Sequence, residues 1–196
     1  MKNLMKRSLL IITFFTVSIS MANNNDPGIK VNLIENKLIQ LTLSGDSDVF
    51  EISVRDNYGV LLHKENLQSD NNSKKYDLAN LPNGNYFMEI ESSTKIKVIP
   101  FKVSAKSVAL KNDDEIIHFK PTIRKTEDIV YVSMLALNNE KLEVLLYDMN
   151  NNLLYSETLQ DKEILERKLN LMNLKSGSYS MILRSNGKAF YETIKI

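Results

Sequence analysis

An all-β fold of two tandem Greek-key sandwiches is predicted by three observations: apolar residues that alternate with period two, turn residues at short intervals, and an internal match of the chain to itself at a spacing of 92 to 93 positions. Alternation means strands with one buried face, and short intervals between strands mean hairpin-like connections. The internal match means that one unit of this kind is followed by a second.

The elements follow in chain order. Lys2, Lys6 and Arg7 precede an apolar run from Leu9 to Met21, after which Ala22 gives way to the polar stretch Asn23, Asn24, Asn25, Asp26. This charged, apolar, small-residue order predicts a signal peptide over residues 1–22 and therefore export. The run is shorter than the roughly 20 apolar residues a membrane span needs, so no transmembrane helix is expected. With no cysteine anywhere, a lipid anchor after the leader is excluded, as are disulfides, thiolate metal sites and cysteine nucleophiles. The expected location is extracellular or at the cell surface, with the periplasm as the alternative. Removing the leader's three positive charges from a formal net charge of +1 leaves −2, which is no footprint for nucleic acid or anionic lipid.

The first sandwich is expected over residues 28–103, with strand candidates near 31–34, 38–43, 49–55, 60–67, 74–78, 85–91 and 95–103. Its apolar alternation is plain in Ile39, Leu41, Leu43 and in Phe50, Ile52, Val54. Turns are expected at Ser44-Gly45-Asp46, Asp56-Asn57-Tyr58-Gly59 and Leu81-Pro82-Asn83-Gly84, where residue types either reach positive φ or preset a bend. Residues 104–115, small and charged and ending in Asp113-Asp114-Glu115, are read as a linker. The second sandwich is expected over 116–196, and a single continuous domain is the alternative.

The match between the units is ordered. Phe50, Ile52, Val54 and Asp56 correspond to Leu142, Val144, Leu146 and Asp148, and Leu61, Leu62, Glu65 and Leu67 to Leu153, Leu154, Glu157 and Leu159. After one inserted residue, Leu78, Leu81, Gly84 and Tyr86 correspond to Leu171, Leu174, Gly177 and Tyr179. In Greek-key sandwiches a tyrosine opening a late strand can bond back to the preceding corner, and Tyr86 and Tyr179 stand at that position. Leu81 and Leu174 are expected to be buried between the sheets, and Gly84 and Gly177 to permit the turn into the strand.

The closing stretch resembles the C-terminal sorting domain of type IX secretion cargo in Bacteroidetes. Leu171-x-x-Leu174-x-x-Gly177-x-Tyr179 is followed by alternating apolar residues, a turn at Asn186-Gly187-Lys188, and the last strand Tyr191-Glu192-Thr193-Ile194-Lys195-Ile196. The resemblance covers most of the second unit and implies an immunoglobulin-like sandwich read by outer-membrane secretion machinery, then release or surface attachment. Both units also resemble fibronectin type III domains, a likeness of shape that implies no activity.

Candidate chemistry is sparse, and no catalytic, cofactor or metal site is expected. His63 and His118 are too far apart in sequence to form a local metal pair, and no serine sits in Gly-x-Ser-x-Gly. The acids Asp46, Asp48, Asp70, Asp113, Asp114 and Glu115 lie in loops without the spacing of a calcium loop. Without tryptophan, carbohydrate binding would fall to Tyr58, Tyr155 and Tyr191. The function these observations predict is that of a non-enzymatic exported sandwich protein, of surface or adhesion type or a secreted cargo with a sorting-like domain. The alternative is a carbohydrate- or peptide-binding module. Expected partners are outer-membrane secretion machinery, a surface protein or a glycan.

Overall fold

The computed structural model describes residues 28–44, 49–69 and 73–196; the expected leader, Gly45, Asp46, Asp48 and Asp70 lie outside these. Its first half holds β1 (Ile29–Glu35), β2 (Leu38–Leu43), β3 (Val49–Asp56), β4 (Leu61–Gln68), β5 (Ser73–Asp77), β6 (Gly84–Glu91), β7 (Lys95–Val103), β8 (Val108–Leu110) and β9 (Ile116–Phe119). The second half holds β10 (Thr122–Thr126), β11 (Ile129–Leu135), β12 (Leu142–Tyr147), β13 (Leu153–Leu159), β14 (Ile164–Asn170), β15 (Ser178–Ser185) and β16 (Lys188–Lys195).

The strands form two sheets in each half. The first has sheets ordered β1-β2-β5 and β4-β3-β6-β7-β8, with β9 also on β7, and the second has β10-β11-β14 and β13-β12-β15-β16. Leaving β8 and β9 aside, the two orders are the same topology, with β1 equivalent to β10 and so on to β7 and β16. The alternation explains why the sheets face each other. Ile39 and Leu41 of one sheet join Ile52, Met88 and Ile90 of the other in the first core. Val130 and Val132 join Val144, Met181 and Leu183 in the second.

The β3–β4 and β12–β13 hairpins turn by the same device. Asp56 Oδ1 accepts the N–H groups of Tyr58 and Val60, each at 2.9 Å. Asp148 Oδ1 accepts those of Asn150 at 2.8 Å and Asn152 at 2.9 Å. The tight bend needs a left-handed residue, supplied by Gly59 (φ 82°) in one copy and Asn151 (φ 61°) in the other.

The units differ at one edge. The stretch 104–115, expected as a linker, carries β8, which pairs with β7 from Phe101 to Val103 and buries Val108. Ile116–Phe119, expected to open the second unit, pairs with β7 from Lys95 to Val98 instead. A buried ion pair holds this segment down. Lys97 is 3% exposed and its Nζ stands 2.9 Å from Glu115 Oε2. Sequence alternation alone does not reveal either short strand, because three or four residues carry too little period to stand out.

Candidate functional site

The duplicated corner is built alike in both units. Leu78 N–H donates to Lys37 O and Leu171 N–H to Asp128 O, which holds each leucine against the neighbouring strand pair. The chain then turns, with Leu81 N–H on Leu78 O and Leu174 N–H on Leu171 O. Tyr86 Oη donates to Pro82 O at 2.8 Å and Tyr179 Oη to Lys175 O at 2.6 Å. Both rings are buried, and Tyr86 stacks on Phe101 with centroids 5.4 Å apart.

Two details differ from the sequence expectation. Leu78 and Leu171 are the buried leucines, each 5% exposed, whereas Leu81 and Leu174 are half-buried at the margin of their cores. The first leucine continues the strand line and points inward; the second sits on the turn. Neither Gly84 nor Gly177 has a positive φ, so the backbone does not demand glycine at either position. A Cβ on Gly84 would touch the Tyr86 ring at 3.4 Å, an ordinary van der Waals contact, so space does not demand glycine there either.

A polar junction joins the units. Glu91 on β6 accepts Lys120 Nζ at 2.7 Å and Lys188 Nζ, from the second unit, at 2.5 Å. Desolvation raises the Glu91 carboxyl, but the bonds from Lys120 and Lys188 outweigh it and the group titrates below its ordinary value. His118, whose backbone faces Ile96 on β7, places Nδ1 3.0 Å from Glu140 Oε1 and 2.9 Å from Asn186 Nδ2. Glu140 is also desolvated, and the bonds from Asn138 and then His118 turn the balance downward.

The other candidates are not brought together. His63 bonds Glu65 on the exposed β4 edge, remote in chain from His118. Desolvation raises Glu65, and the bonds from Lys74 and His63 overcome it to hold the carboxyl at about 2. Ser185 lines a small pocket with His118, of about 110 Å³, but its buried Oγ has no hydrogen-bond partner, so the histidine does not activate it. Asp113 and Asp114 lie in a 3₁₀ turn, and Glu115 is committed to Lys97. No group of three potential metal-binding side chains occurs among the described residues. Of the tyrosines considered as platforms, Tyr58 and Tyr191 are exposed, while Tyr155 packs against the second core and donates to Glu157. Desolvation and that bond push the Tyr155 phenol up to about 12.

The last strand has an open side. β16 pairs with β15 along its whole length, from Ser178 opposite Lys195 to Ser185 opposite Lys188, after a tight turn at Asn186 (φ 50°) and Gly187 (φ 72°). Its other edge is unpaired among the described residues, whereas the equivalent edge of β7 is covered by β8 and β9. Alternation in the sequence carries no sign of this difference, since it rests on the two short strands that alternation does not reveal.

A family model described as the secretion system C-terminal sorting domain matches residues 35–103 and again 126–196. No curated protein matches the chain. Among solved structures, a BSP domain of a biofilm-associated protein is 16% identical with a TM-score of 0.29, covering 86% of this chain and 29% of its own. A two-domain fibronectin type III segment of chicken tenascin is 12% identical with a TM-score of 0.30, covering 86% of this chain and 97% of its own. A tetra-tandem repeat from the extending region of a large adhesion protein is 11% identical with a TM-score of 0.27, covering 85% of this chain and 47% of its own.

Proposed function

The chain belongs to the secretion system C-terminal sorting domain family, and from that premise we propose that its second unit is the sorting signal and its first unit the exported cargo. Both units match the family, so the match by itself does not say which one is read. The open outer edge of β16 supports the second. A strand edge with unpaired N–H and C=O groups can receive a strand from a partner, and the first unit's equivalent edge is already filled by β8 and β9. The partner on this reading is the outer-membrane secretion machinery, and the destination is the cell surface or the medium.

On this reading cargo and signal meet at Lys120-Pro121, a division supported by the position of these residues after β9 and before β10. The exported module is of surface type and has no catalytic role; the separation of His63 from His118 and the commitment of Glu115 and Glu140 to ion pairs and hydrogen bonds support this. Among the described residues no helix is long and apolar enough to cross a membrane.

The test is fractionation of cells expressing the chain with Tyr191–Ile196 deleted. An export defect leaves near-normal amounts of protein trapped in the periplasm. Export of the truncated chain at the full-length level would defeat the reading, and a fall in total protein in every fraction would assign the last strand to folding alone.

A further inference from the structure

The outer face of the β10-β11-β14 sheet carries a feature that the first unit lacks. Arg124, Tyr131 and Lys168 stand in one row across the three strands, with Arg124 opposite Tyr131 and Tyr131 opposite Lys168. The Arg124 guanidinium lies over the Tyr131 ring at 5.2 Å from its centroid and the Lys168 ammonium at 5.9 Å. In the topologically equivalent row of the first unit, Asn32 faces Gln40 and Gln40 faces Lys75. One fold therefore presents the same row twice, once amide-rich with a single cation and once with an aromatic ring between two cations.

The cations are available. Among the described residues neither Arg124 nor Lys168 forms an ion pair, although Arg167 between the two rows is taken by Glu157. The adjoining row places Thr122 opposite Ser133 and Ser133 opposite Glu166, and the two rows line one open depression of about 560 Å³. Its chemistry is two unneutralised cations beside hydroxyls and one carboxylate.

We propose that this face binds an acidic polysaccharide, with Arg124 and Lys168 taking carboxylates of one chain and Thr122, Ser133 and Glu166 meeting its hydroxyls. The cations stand two strand spacings apart, roughly 10 Å, a span that two carboxylates of one polyuronate can bridge. Tyr131 acts as a positioning residue: the attraction of both cations to its ring fixes their long side chains and lowers the entropy lost on binding. A peptide adding as a strand would need a sheet edge, and this row crosses the middle of a sheet. The ring is engaged by two cations, which leaves no platform for a stacked base. The inference does not depend on the sorting reading, since it concerns a sheet that does not include β16.

Affinity electrophoresis of the mature chain through native gels containing polygalacturonate tests it, with neutral dextran as control. The double variant Arg124→Asn, Tyr131→Gln gives the second unit the first unit's row, and Lys75→Gln alters only the first unit. The expected result is retardation of the native chain by polygalacturonate and not by dextran, about tenfold weaker binding for the double variant, and no change for Lys75→Gln. If the double variant loses its native circular dichroism, Lys168→Gln, a change at one side chain of the same row, replaces it with the same expected loss. No retardation of the native chain would overturn the proposal, as would equal retardation of native and variant chains. Binding to phosphatidylglycerol vesicles without binding to polygalacturonate would also overturn it, and would give the face to membranes.

Discussion

Tyr86 and Tyr179 tie the opening of a late strand to the corner before it, and the leucines around them divide the load unequally. Leu78 and Leu171 are buried, so Leu→Ala at either should cost about 2–5 kcal/mol in urea unfolding, as for other core truncations. Leu81→Ala and Leu174→Ala, at half-buried sites, should cost about 1 kcal/mol or less. Tyr86→Phe and Tyr179→Phe remove one hydrogen bond each and should cost about 1 kcal/mol. Equal losses at Leu78 and Leu81 would contradict this division. The corner's residues are legible in the sequence because the motif is local and occurs twice. Which leucine is buried is not legible, because that depends on the bonds from Leu78 to Lys37 and from Leu171 to Asp128, across strands distant in the chain. Arg124, Tyr131 and Lys168 escape for the same reason: they meet only once three strands are in register.

The strands themselves are readable wherever alternation runs for five or more residues, as in β2, β3, β6 and β15. Alternation fails at β8 and β9, and at Lys97, a charged residue buried within β7. These failures are linked, since the buried Lys97 finds its counter-charge in Glu115, on the segment that carries β8 and leads into β9. Glu115→Gln should therefore cost about 3 kcal/mol, because it leaves a buried ammonium without its counter-charge. A cost within about 0.5 kcal/mol, typical of an exposed substitution, would mean that the segment is not part of the first unit's fold. Acid should act through the carboxylates already held below their ordinary values. Glu65, Glu91 and Glu140 are more acidic folded than unfolded, so their stabilising contribution is present at neutral pH and lost as pH falls through the folded values. For Glu65 the window runs from about 4.5 down to about 2. Urea midpoints should fall for the native chain as the pH drops from neutral into the carboxylate range, and fall less steeply for Glu91→Gln, which has already lost its paired charge.

At the scale of the whole molecule, one sandwich topology occurs twice, and the strand pairing of the copies differs at one edge: covered along β7 by β8 and β9, and unpaired along β16 among the described residues. The duplication is legible in the sequence because the matching residues recur in the same order at a spacing of 92 positions, and of 93 after one inserted residue. The difference in edges is not, because it depends on which strands lie side by side, and β8 and β9 are too short to announce themselves. If the open edge is what the secretion machinery reads, the two units should behave differently when each is placed alone at the C-terminus of a reporter. That is measured by the location of a periplasmically exported reporter fused to residues 28–119 or to residues 122–196, scored by fractionation and by protease accessibility on intact cells. The fusion to 122–196 should reach the surface or medium while the fusion to 28–119 stays in the periplasm. Retention of the 122–196 fusion, or equal export of both, would contradict the assignment of the sorting signal to the second unit.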